Sequence, residues 1–153
     1  MIYGVGNPGR GDDGIGPELV SRLEKEWPAG QDRKNVPASE LSLEIRFQLN
    51  IEDALNFSQF DRVVIIDASR TTEPPFSFTR LEPDPRVSFS THALAPGAVL
   101  AWCRTLYNKI PEAYVLAVRG TSWELGQGLS PEGEENLNQA LEYLKDFLAS
   151  GRR

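Results

Sequence analysis

Cysteine and histidine are nearly missing from this sequence: Cys103 is its one thiol and His92 its one imidazole. A single cysteine excludes an internal disulfide framework and a cysteine-based zinc site. No apolar run is long enough to cross a bilayer, and the chain opens into strand-like residues (Ile2, Tyr3, Val5), not a basic segment followed by an apolar one. The expected compartment is the cytoplasm, with no membrane partner. Clustered basic residues are lacking too, since the terminal pair Arg152–Arg153 is too small to track a phosphate backbone. With 16 Lys+Arg against 22 Asp+Glu, a net charge of −6 and a pI near 4.9, no nucleic acid is expected as a partner. A small molecule, a metal or another protein fits better. No internal repeat is visible.

What is present is the composition of an ordinary globular chain, 153 residues with 40% hydrophobic and 25% charged. That length fits one domain, residues 1–153, and buries roughly two thirds of the surface exposed by the unfolded chain. Strand and helix patterns alternate, which points to an α/β fold: a sandwich with a small, largely parallel sheet.

A strand at Ile2–Val5 leads through the loop Gly6–Gly14 into a helix ending near Trp27, with Ile15, Leu19, Leu23 and Trp27 on one face. Residues 28–40 read as a polar surface loop. Leu43–Leu49 alternates, with Leu43, Ile45, Phe47 and Leu49 on one side, as in a half-buried strand near a sheet edge. Asn50 is placed to cap a short helix over Ile51–Phe57. The β-branched run Val63–Ile66, closed by Asp67, reads as a central strand covered on both faces. The proline-rich stretch Thr71–Thr91 has room for one strand or hairpin around Phe76–Leu81. A helix over Pro96–Asn108, a strand over Tyr114–Val118 and a helix over Pro131–Ala149 follow. Ser130 caps the last helix, and Leu137, Leu141, Leu144 and Leu148 form its buried stripe.

Ligands of open α/β sheets bind beyond the carboxyl ends of the strands, where strand order reverses. Asp12 and Asp13 close the loop after the first strand, and Asp67 ends the central one. The two strands are expected neighbours, so the carboxylates can converge. Asp13 also precedes a helix N-terminus, which favours its ionised form. His92, after a strand and before a helix, opens onto the same edge. Two carboxylates and an imidazole suit a divalent transition metal with coordination positions left free. Taken alone, Asp67 reads equally well as a carboxylate receiving loop amides at a strand end. A lone histidine is more often packed or on the surface than a ligand.

The run Gly4–Val5–Gly6–Asn7–Pro8–Gly9–Arg10–Gly11–Asp12–Asp13–Gly14–Ile15–Gly16–Pro17 closely resembles the GxGNxxxxDDGxG opening of the nickel–iron hydrogenase maturation endopeptidases. Phe60–Ala68 is similar to that family's acid-terminated central strand, Ser90–Thr91–His92 to its histidine segment, and Gly126–Glu132 to its last helix entry. The resemblance spans nearly the whole chain. It implies a three-layer α/β/α sandwich around a small twisted sheet (phosphorylase/hydrolase-like). It also implies an endopeptidase that removes the C-terminal extension of a hydrogenase large-subunit precursor once nickel is inserted. Asp13, Asp67 and His92 would then be both the catalytic set and the contacts to nickel carried by the substrate. Metal-polarised water is the simplest nucleophile, with one acid as general base. One histidine and no cysteine cluster imply that the free enzyme, expected as a monomer, holds nickel weakly, with Asp12 the one extra donor nearby.

Other readings share some of these residues. Gly4–Gly9 satisfies GxGxxG, but the helix opens too late for a dinucleotide site, and Asp12 and Asp13 repel phosphate. Gly6–Gly9 is similar to the opening of peptidyl-tRNA hydrolase, which carries an early histidine that this chain lacks. A hydrolase built on Ser90, His92 and Asp67 has no GxSxG elbow. A nickel chaperone that cuts nothing shares every ligand with the peptidase. Cys103, on a helix face with Val99, Leu106 and Ile110, reads as core, and Trp102 and Tyr107 as packing. Glycine density beside Asp13 predicts that Gly14 or Gly16 holds a conformation other residues avoid.

Overall fold

The computed structural model describes residues 1–27, 41–86 and 93–151. Its framework is a five-stranded sheet in which β1 (Ile2–Val5), β2 (Leu43–Arg46), β3 (Arg62–Ser69) and β5 (Glu112–Arg119) pair in parallel. β4 (Phe76–Leu81) closes the far edge antiparallel to β5, giving the order β2-β1-β3-β5-β4. β3 is the middle strand because its residues are apolar on both sides. Val64 and Ile66 face one core with Ile15, Leu19, Leu137 and Leu144, drawn from α1 (Ile15–Glu26) and α4 (Pro131–Ala149). Val63 and Ile65 face the other with Phe57, Val99 and Cys103, from α2 (Asp53–Ser58) and α3 (Pro96–Tyr107). The three layers follow from burying both faces of that strand. No helix among the described residues is long and apolar enough to cross a membrane.

Several local expectations are corrected. β2 stops at Arg46, and Ile45 and Phe47 are 43% and 67% exposed instead of half-buried. Among the described residues its one neighbour is β1, whose residues pair Ile2 to Leu43 through Val5 to Arg46 and then turn away at Gly6. The β2 ladder ends where β1 leaves the sheet. Asn50 does not cap α2; instead the buried Asp53 carboxylate accepts the Asn50 backbone N–H at 2.8 Å. β3 runs two residues past Asp67, because β5 continues to pair with it as far as Ser69 and Arg119. Cys103 is core, its thiol donating to the Ala54 carbonyl at 3.3 Å, and burial raises its pKa to about 11. Leu106, Tyr107 and Ile110, by contrast, lie 50%, 41% and 46% exposed. The segment 28–40 falls outside the described residues.

The glycine expectation is also corrected. Gly14 sits at φ −79 and Gly16 lies within α1; among the described residues the glycines at positive φ are Gly6, Gly11, Gly126 and Gly151. What constrains Gly16 is proximity, since a Cβ there would lie 2.5 Å from the Val5 carbonyl oxygen and 2.6 Å from that of Ile66. The first turn of α1 thus rests directly on the ends of β1 and β3. Gly16→Ala is expected to destabilise the protein by about 2–3 kcal/mol through overpacking against rigid backbone. Gly128→Ala, with open space around it, should stay within about 0.5 kcal/mol. Equilibrium urea unfolding of the two variants checks this.

Candidate active site

Strand order reverses between β1 and β3, and this is where the acidic residues gather. β1 leaves the sheet at Gly6, whose φ of 140 suits glycine and where a Cβ would collide with the Asp13 carbonyl. The loop then tightens by short-range bonds. Asn7 Oδ1 accepts the Gly9 N–H at 2.8 Å, the Arg10 N–H reaches the Asn7 carbonyl at 3.1 Å, and the Asp13 N–H reaches Arg10 at 3.1 Å. A 3-10 turn over Gly11–Gly14 delivers Asp13 to the mouth of the sheet. Its carboxylate accepts the Asn7 N–H at 2.9 Å, which fixes its direction and leaves the remaining lone pairs open. Asp67 stands one residue beyond Ile66, the last residue of β3 in register with β1. Asp13 and Asp67 line one open cleft of about 400 Å³ together with Arg10, Ser69, Arg70 and Trp123.

The two adjacent acids of the loop have opposite environments. Asp12 is fully buried. Its carboxylate accepts the backbone N–H groups of Thr121 (2.7 Å), Ser122 (3.0 Å) and Ser130 (2.8 Å), and the Ser130 hydroxyl at 2.7 Å. Ser130 Oγ in turn accepts the Gly133 N–H at 2.9 Å, capping α4. A side chain on Gly133 would collide with Asp12 Oδ1, and one on Gly120 would lie 2.8 Å from Asp12 Cβ. Burial works against the Asp12 charge, but the Ser130 hydroxyl and the three backbone N–H groups outweigh it and hold the pKa below the ordinary 3.8. Asp12 is therefore a clamp joining the first loop to the β5–α4 loop, not the spare metal donor expected from sequence.

Asp67 shows the reverse balance. Burial pushes its carboxyl up from 3.8 to about 6, opposed by the Ala68 N–H and reinforced by the Asp13 charge. His92 lies outside the described residues, and among those described no group of three or more histidines, cysteines or acids stands ready to hold a metal. Sequence reasoning did not single out Arg10, Arg70 or Trp123, which share the cleft with the two acids. Arg10 and Arg70 lie within three residues of a candidate acid, but Trp123, four residues past the end of β5, carried no such signal.

No protein-family profile matches the chain, and no curated protein does. Solved structures do. A NiFe hydrogenase maturation protease HycI from Thermococcus kodakarensis superposes with a TM-score of 0.68 at 21% identity, covering 96% of this chain and 90% of that one. The hydrogenase maturating endopeptidase HybD from Escherichia coli gives 0.68 at 24% identity, covering 97% and 91%. The chain has the fold of the hydrogenase maturation proteases. An endopeptidase from E. coli, at 25% identity and a TM-score of 0.63 over 94% of this chain and 89% of its own, extends the likeness. Within this maturation-protease fold the Asp13–Asp67 cleft opens at the strand-order reversal.

Two opposite stability effects are expected from Asp12 and Asp67. Asp12→Asn should lower stability by about 2–4 kcal/mol at neutral pH, because an amide nitrogen would face donors in a buried site. A folded pKa below the unfolded one makes the Asp12 contribution present above about pH 4 and lost as pH falls below that value. Asp67→Asn should instead raise stability by about 1–2 kcal/mol at pH 8, since the folded pKa of about 6 exceeds the unfolded 3.8. That gain should shrink as pH falls through 6 and vanish near pH 4. Denaturant unfolding of both variants at pH 4, 6 and 8 measures the signs.

Proposed function

We propose that the chain is a hydrogenase maturation endopeptidase that removes the C-terminal extension of a NiFe hydrogenase large-subunit precursor after nickel insertion, acting in the cytoplasm as a monomer. The observation that carries the reading is the convergence of Asp13 and Asp67 on one cleft at the strand-order reversal of this fold. Nickel is part of the substrate. Asp13, Asp67 and His92 contact it, recognise the loaded precursor and set the scissile bond beside it. Two carboxylates with lone pairs to spare and one imidazole make an open ligand set, which leaves room for donors already on the precursor.

Hydrolysis adds the oxygen of water to the scissile carbonyl carbon and returns a proton to the departing amine. A carboxyl group titrating near 6 is well matched to taking and passing that proton close to neutral pH, which gives Asp67 a second use. Asp13 Oδ2 is oriented by the Asn7 N–H. The free enzyme holds nickel weakly, so it adds contacts to the precursor's metal without stripping it.

Asp13→Asn and Asp67→Asn should each reduce processing of nickel-loaded precursor by at least about 100-fold while remaining folded. In the parent protein, processing should fall as pH drops through about 6 and Asp67 protonates. Metal-free precursor should be left intact, and calorimetric titration of the free enzyme should show nickel binding weaker than about 1 μM. Normal processing by either folded variant removes the site assignment. Nickel-dependent binding of the precursor with no cleavage would make the chain a chaperone instead.

A further inference from the structure

We propose that Arg10, Arg70 and Trp123 form a subsite beside Asp13 and Asp67 that takes an acidic side chain of the peptide to be cut. The three residues line the acid-bearing cleft and also an adjoining one of about 540 Å³ that continues past Ser122 to Leu125, with the exposed Glu124 also in its lining. The Arg70 guanidinium carbon lies 4.1 Å from the centre of the Trp123 ring, so the charge is stacked on one face and its N–H edges stay free. Arg10 Nε donates to the Trp123 carbonyl at 3.3 Å, which leaves both its terminal amino groups available. One tryptophan therefore holds both cations, one through its ring and one through its backbone.

Five of the seven other described arginines pair with an acid; Arg104 does not, and Arg119 donates instead to the Thr72 carbonyl. Arg22, Arg46, Arg62, Arg80 and Arg86 each meet a carboxylate within 4 Å. Among the described residues Arg10 and Arg70 meet none, although Asp13 and Asp67 line the same cleft. Anchoring to Trp123 keeps the two cations from neutralising the two acids. The cleft is left bipolar: carboxylates on one side, ready for a metal, and guanidinium groups on the other, ready for an anion. A peptide carrying a metal and, a few residues along, an aspartate or glutamate matches both sides. Leu125, 75% exposed beyond Trp123, offers an apolar contact to a neighbouring residue of that peptide.

The carboxylate is a side chain and not the free end of the peptide. Terminal carboxylates are typically captured by clustered backbone N–H groups. Here the donors are two exposed side chains along an open shelf, which suits a segment passing through. The net charge of −6 disfavours a nucleic acid as the anion.

The identity of the peptide rests on the peptidase reading; the subsite itself is tested without cleavage. The full chain is titrated calorimetrically with an acetylated, amidated six-residue peptide carrying two glutamates among leucine and valine. A glutamine analogue and the glutamine analogue with a free C-terminal carboxylate serve as the other arms. The expected result is binding of the glutamate peptide about 10-fold tighter than of its glutamine analogue, with less than about 2-fold gained from the free terminus. In a folded Arg10→Ala/Arg70→Ala variant the two blocked peptides should bind alike, and Arg70→Lys, which keeps charge but loses the planar fork, should retain only part of the preference. Equal binding of both peptides, a preference that survives in the double variant, or a free terminus that replaces the glutamates would overturn the subsite. Selective glutamate binding by a chain that cuts no precursor would overturn the peptidase reading alone.

Discussion

A single buried carboxylate holds the functional end of this molecule together. Asp12 receives four hydrogen bonds of 3.0 Å or less from Thr121, Ser122 and Ser130, residues more than a hundred positions away. Main-chain bonds run beside it: Asp12 to Ser122, Gly11 to Gln127, and Gly126 back to Gly9. An unpaired charge at such a place would be expelled or neutralised; a fully bonded one fixes both loops and the entry of α4 at once. Because Asp13 follows in the same 3-10 turn, its position is inherited from this clamp. Trp123, and with it the Arg10 and Arg70 shelf, belongs to the loop on the other side of the clamp.

Two consecutive aspartates thus divide structure from chemistry. The first is saturated with donors, charged and closed to ligands. The second accepts one backbone N–H and faces the cleft. Asp67 comes from β3 and owes its environment to burial beside the point where β1 ends, which makes its charge unfavourable until a cation or a proton arrives. Glycine enables these approaches at close quarters. Gly16 brings α1 onto the strand ends, and Gly133 admits the Asp12 carboxylate to the first turn of α4.

Much of this was legible in the sequence where the signal is local. β3 announced itself by a β-branched run too apolar for a solvent face, and α4 by a capping serine followed by a leucine stripe. The neighbouring placement of β1 and β3, hence the meeting of Asp13 with Asp67, followed from the handedness of crossovers. What was not legible depends on partners distant in the chain. The alternation through Leu49 overstated β2, because its length is set by the four residues of β1 that it bonds to. Asp12 looked like a ligand beside Asp13, since no local pattern shows that the amides of Thr121 and Ser130 have nowhere else to go. Tyr107 and Ile110 are likewise exposed at and beyond the last residue of α3, which the helical spacing did not show.

The central claim is that two carboxyl groups, the Asp12 clamp and Asp67 in the cleft, have been driven in opposite directions, one by its donors and the other by burial. Carbon-detected NMR titration of the aspartate carboxyl resonances measures this directly. Asp12 should titrate below the ordinary 3.8, and Asp67 near 6. Titration of both groups together near 3.8 would contradict the account, because it would mean that neither the clamp nor the burial of Asp67 exists in solution.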